Sequence, residues 1–118
     1  MKVTVTKFNE CKPYYPPKHD AQIHAMHLQH KGMGCDAPYW VGCSYYLPGS
    51  KAEMAISPLD KIYVVLEGEL TVEMEGQDPI TLNKGDSIWI GPGETREVRN
   101  ETNAITSMLV IMPYPPES

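Results

Sequence analysis

The sequence predicts an all-β fold, an antiparallel sandwich or barrel. Three observations carry this. Apolar and β-branched residues alternate with period two in one short segment after another. The 11 prolines and 9 glycines fall between those segments, where turns belong. Helical periodicity is nearly absent, and roughly eight to ten short strands account for the pattern.

Taken in order, "MKVTVTKF" alternates and reads as a first strand, while the three prolines of "KPYYPPKHD" rule out regular structure. That stretch is an extended arm whose Tyr14 and Tyr15 pack on something. In "AQIHAMHLQHKG" Asp20 could cap a helix and Gly32 could end one. The alternation of His24, Met26 and Leu28 against Ile23, Ala25 and His27 favours a strand, in keeping with everything downstream. The next strands are "YWVGCSYYL", closed by Pro48-Gly49, and "KAEMAI", closed by Ser57-Pro58. "KIYVVLEGELTVEM" reads as a pair turning at Glu67-Gly68. "DPITLNKGD", "SIWIGPG", "TREVRNET" and "AITSMLVIM" complete the set, and the proline-rich tail "PYPPES" cannot extend a sheet.

At 118 residues the chain is one domain, large enough to bury somewhat under ~70% of its unfolded surface. Its 42% apolar and 21% charged residues are ordinary for a globular protein. The net charge is −5, with Lys and Arg scattered, which argues against nucleic acid or an anionic membrane as partner. Cys11, Cys35 and Cys43 are odd in number and lack C-x-x-C pairing, so neither a disulfide framework nor a zinc knuckle is expected. No secretory h-region or membrane-length apolar run is evident. A cytoplasmic, soluble protein is the expectation.

Gly49, Gly68, Gly85, Gly93 and Asn100 fall at the spacings of G-x5-H-x-H-x3/4-E-x6-G and G-x5-P-x-G-x2-H-x3-N. With "LPGSKAE", "KIYVVLEGEL" and "KGDSIWIGPGE" around them, residues 39–112 resemble the cupins. The resemblance implies a jelly-roll barrel over 39–112, with residues 1–38 as an N-terminal strand and arm against it and 113–118 as a tail. It also implies a homodimer paired through N-terminal strands. Gly68 and Gly93 are expected at positive φ in turns. Where metal-binding cupins place three histidines and a glutamate, this chain has Ala55, Ser57, Lys61 and Arg96. The resemblance therefore implies no metal site of the usual kind, and no cofactor is expected.

Lys61 and Arg96 would put two positive charges into one cavity, and buried charge demands a partner. Glu53, two residues before Ala55 and on its face in a regular strand, could supply it, as could Glu69 or Glu94. The alternative partner is a small anionic, carboxylate-type ligand, which a guanidinium grips with two hydrogen bonds. Lys61 and Tyr63 are the candidate base and acid of a metal-independent isomerase or lyase, with a histidine as an alternative base. Arg96, Lys61, Glu53, Ser57, Tyr45 and Trp89 are candidate ligand contacts, and Trp40 a candidate wall residue. A non-catalytic sensor is a second possibility. An atypical metal enzyme using His24, His27, His30 and Glu53 is a third; on a strand His24 and His30 would share a face and His27 would oppose them.

Overall fold

The computed structural model of the chain describes residues 1–16 and 18–116. Among these residues ten strands form two antiparallel sheets packed face to face, the jelly-roll arrangement. The strands are β1 (Pro13–Tyr14), β2 (Ile23–Gln29), β3 (Tyr39–Tyr46), β4 (Lys51–Ile56) and β5 (Lys61–Glu67). They continue as β6 (Glu69–Met74), β7 (Ile80–Asn83), β8 (Ser87–Ile90), β9 (Thr95–Arg99) and β10 (Thr106–Pro113). One sheet has the order β1-β2-β3-β10-β5-β8 and the other β4-β9-β6-β7. Among the described residues no helix is long and apolar enough to cross a membrane.

Alternation decides what enters the core. On β5 Lys61, Tyr63 and Val65 are buried, while Ile62 and Leu66 are exposed on the outer face. On β9 Arg96 and Val98 point inward, followed by buried Asn100. Tyr46, Leu70, Val72 and Met108 fill the space between the sheets. The β5–β6 turn needs a glycine for two reasons. Gly68 sits at φ 84°, and a Cβ there would lie 2.8 Å from Thr106 Oγ1 and 2.9 Å from the Ile105 carbonyl. Gly93, at φ 83°, meets the same conformational need in the corner before β9.

Three bulges interrupt the strict alternation among the described residues; one lies in β5 beyond Val65, opposite Ser107 and Met108, and the other two bear on the site. Between Ala52 and Ala55 the β4–β9 register shifts, with Ala52 opposite Val98 and Ala55 opposite Arg96. Between His27 and Gln29 the β2–β3 register shifts in the same way. Each inserts one residue and reverses the facing of everything beyond it.

Two expectations are corrected here. The alternating "MKVTVTKF" makes no strand: the chain is irregular up to a 3-10 turn at Phe8–Glu10, with Val3, Val5 and Phe8 exposed. Residues 1–7 lack a ladder partner, and alternation alone does not make a strand. Conversely, the arm holds a short strand despite its prolines. Pro13 and Tyr14 pair with Met26 and Ala25 at the sheet edge, where a missing N–H is tolerated. Pro113 likewise closes β10, opposite Tyr39.

Asn100 ties the two layers together. Its Nδ2 donates to the carbonyls of Tyr46, 2.9 Å away on the larger sheet, and of Ala104 at 2.7 Å. Its Oδ1 accepts from the backbone N–H and the hydroxyl of Thr102. Replacing it removes a donor from the buried Tyr46 carbonyl and unties the Thr102–Ala104 turn, so Asn100→Ala should cost on the order of 2–4 kcal/mol in urea unfolding. A loss below about 0.5 kcal/mol, the level of an ordinary surface substitution, would contradict this account.

Candidate functional site

A cavity of about 680 Å³ opens between the sheets and is lined from β2, β3, β4, β5, β9 and β10, with the arm at its mouth. One end is cationic. Lys61 comes from β5 and Arg96 from β9, and both are buried, at 4% and 9% exposure. Arg96 spans the layers: its Nε–H donates to the Tyr63 hydroxyl at 3.1 Å, and Nη1 donates to the Glu53 carbonyl at 3.3 Å. Among the described residues no carboxylate pairs with either cation. No Asp or Glu side chain of the described residues lines the cavity.

The electrostatic consequence is largest at Lys61. Burial, and then the neighbouring Arg96 charge, bring its ammonium down from 10.5 to about 8. Burial raises the Tyr63 hydroxyl, opposed by the charge and hydrogen bond of Arg96. Tyr63 thus keeps its proton near neutrality, accepts from Arg96 and retains an O–H to offer into the cavity.

The other end is aromatic. Tyr14 of β1 stacks on His27 and His27 on His30, both with ring centroids 4.1 Å apart, and Trp40 meets Tyr14 and His27 edge-on. Tyr114 closes the row against His30 and accepts a hydrogen bond from the Lys31 backbone N–H at 2.7 Å. Burial pushes the Tyr14 hydroxyl up to about 12, partly offset by its hydrogen bond to Ser44. His27 is lowered by burial and then by its neighbour His30.

The structure brings together Lys61, Tyr63, Arg96 and Ser57, with Ala55 beside them and Trp40 in the wall. It does not bring Glu53, Tyr45 or Trp89 to the cavity. The β4 bulge breaks the face that Glu53 would share with Ala55, so its carboxylate is exposed and only its carbonyl meets Arg96. Tyr45 lies between the buried Ser44 and Tyr46 and points outward. Trp89, 65% exposed, lies on the outer face between Ile88 and Ile90. Glu69 and Glu94 pair with neither cation.

The histidine grouping is also corrected. The extra residue in β2 returns His30 to the side of His27, while His24 is exposed outside the cavity. Residue composition gave no hint of Tyr14, His19 or Tyr114 as lining residues; the arm and tail bring them there. A divalent cation does not fit the inner end. Ala55 offers no donor, Ser57 Oγ is engaged with Leu59, and Lys61 and Arg96 repel it. Among the described residues no three His, Cys, Asp or Glu side chains converge.

Residues 44–112 match the model of the family described as "Cupin domain". The chain is 34% identical over 111 residues to a beta-D-galactosidase of Mycobacterium tuberculosis (strain ATCC 25618 / H37Rv), covering 94% of each protein. In three dimensions it is similar to the polyketide cyclase RemF from Streptomyces resistomycificus. The TM-score is 0.83 at 17% identity, over 97% of this chain and 82% of that one. It is also similar to a predicted oxalate decarboxylase from Thermotoga maritima, with TM-score 0.78 and 19% identity over 94% and 99%. At these identities the two structures share the fold.

The buried cations should be visible in stability. Between pH 8 and 10.5 the unfolded chain holds a proton on Lys61 that the folded chain has lost, so stability rises with pH across that window. Below pH 8 the whole penalty is present. Lys61→Met should therefore stabilise the unliganded protein at pH 7 by about 1–3 kcal/mol and flatten the rise. Urea titrations of both proteins from pH 7 to 10 decide it; a less stable variant would count against an uncompensated charge.

Proposed function

The chain belongs to the cupin domain family, and we propose that its barrel binds a small carboxylate-bearing anion between Lys61 and Arg96. The observation that carries this is a pair of buried cations facing one cavity with no carboxylate of the described residues against them. Two like charges held together in a poorly solvated space favour an anion that neutralises both. Arg96 is already oriented by Tyr63 and Glu53, so a carboxylate finds a fixed guanidinium, with the ammonium beside it.

The same geometry supports a metal-independent isomerase or lyase. With its carboxylate on Arg96, the substrate presents its neighbouring carbon to Lys61, whose neutral amine is accessible from about pH 8 in the free protein and at higher pH once the anion is bound. Lys61 takes a proton from that carbon and Tyr63 donates one to the rearranging or departing group.

A second reading follows from the mycobacterial relative: hydrolysis of a β-galactoside. The usual glycosidase employs two carboxylates flanking the bond, and no Asp or Glu side chain of the described residues lines this cavity. Hydrolysis here would rest on Lys61 and Tyr63. Release of nitrophenol from p-nitrophenyl β-D-galactoside, lost in Tyr63→Phe, would establish it in place of the carboxylate reading.

Calorimetric titration of monocarboxylates should show binding that Arg96→Gln weakens ten- to a hundredfold, about 1.5–3 kcal/mol for a charge-assisted contact. Affinity should fall as pH rises past about 8, as the Lys61 ammonium of the free protein loses its charge. The decline continues up to the higher value that the bound anion imposes. Binding with no product formed in carboxylate incubations would make the protein a sensor. Wild-type protein that takes up no carboxylate would overturn the proposal.

A further inference from the structure

The anion end accounts for only part of the cavity. Across the larger sheet, His27 on β2 lies opposite Gly42 on β3, Gly42 opposite Val110 on β10, and Val110 opposite Tyr63 on β5. The imidazole wall and the Tyr63–Arg96 pair are thus three strand spacings apart, about 14 Å along the sheet. The floor between them is apolar: Val110 in that row, with Met108 and Met112 on either side. Gly42 leaves a gap, and Trp40 fills it. A Cβ at Gly42 would meet Trp40 Cζ3 at 2.9 Å, so the indole lies across the glycine backbone. A carboxylate alone would leave this floor wet and uncovered.

Resting on the carboxylate reading above, we infer that the ligand is a planar arene carboxylate, with its anionic group at Lys61 and Arg96 and its ring over Trp40, Val110 and Met112. Flatness is favoured by the wall opposite. The Tyr14, His27 and His30 rings form a rigid parallel stack, 7° and 16° between planes, that braces the indole edge-on. The His30 ring is held in place by its Nδ1, which accepts the Gly32 N–H at 3.0 Å. An arene gains contact with the indole, the two thioethers and these rings, which a flexible chain matches poorly.

The test compares cinnamate with hexanoate on the full chain by calorimetry, alongside spectra of protein labelled at the methionine methyl groups. Cinnamate should bind about tenfold tighter, the increment expected of aromatic contacts. It should also shift the Met108 and Met112 methyl signals through its ring current. Trp40→Leu should bring the two affinities within about twofold, and Arg96→Gln should weaken both acids. If Trp40→Leu does not fold, the methyl shifts in the unaltered protein still decide. Equal affinities, both lost in Arg96→Gln, would overturn the arene inference and leave the carboxylate site standing. Failure of both acids to bind would overturn the two together.

Discussion

The architecture of the site depends on a single cross-layer contact, from the Arg96 guanidinium on the four-stranded sheet to the Tyr63 hydroxyl on the six-stranded one. It fixes a charge at the inner end of the cavity, and that charge adds to burial, the larger cause, in lowering the proton affinity of Lys61 on the same face of β5 as Tyr63. Arg96 satisfies two of its donors with a hydroxyl and a backbone carbonyl rather than a carboxylate, so the positive charge is oriented without being neutralised.

The rest of the barrel protects that arrangement. Asn100 locks the end of β9 to β3, which holds Arg96 and Val98 in register above the core. Gly68 allows β5 to turn directly into β6, joining the two layers beside Thr106. Thr106 Oγ1 in turn donates to the Glu69 carbonyl and accepts the Glu69 N–H. The strands that carry Tyr63 and Arg96 are therefore tied together by hydrogen bonds between the two sheets, away from the cavity. The mouth is instead formed by a two-strand edge, β1 on β2, and by stacked rings. The cavity is thus firmly tied on one side and bordered by a lightly paired arm at Tyr14 on the other.

The bulges in β4 and β2 set which side chains of those strands face the site. The one in β4 brings Ala55 rather than Met54 opposite Arg96, while Glu53, next to the inward Ala52, keeps its carboxylate in solvent and turns its carbonyl to Arg96. The one in β2 puts His27 and His30 together and leaves His24 outside. Both are insertions of one residue in an otherwise regular ladder, a form that local composition does not announce.

The sequence by itself determined the class of fold, most of the strands from Ile23 onward, the positive-φ turns at Gly68 and Gly93, and the inward facing of Lys61, Tyr63 and Arg96. The strands and turns follow from period-two patterning and turn chemistry, which are local, and the facing of Lys61 and Arg96 from the resemblance to the cupin motifs, with Tyr63 two residues on sharing that face. Parity within β8 already opposed Trp89 to Ile88 and Ile90, so its outward position was legible too. Only the tertiary structure decided that residues 1–7 stay out of the sheets, that Pro13 and Tyr14 join one, and that Tyr14, Tyr114 and His19 reach the cavity. The physical reason is the same in each case. A strand exists where a neighbouring backbone completes its hydrogen bonds, and a side chain's surroundings beyond a bulge depend on a register set by residues far away in the chain.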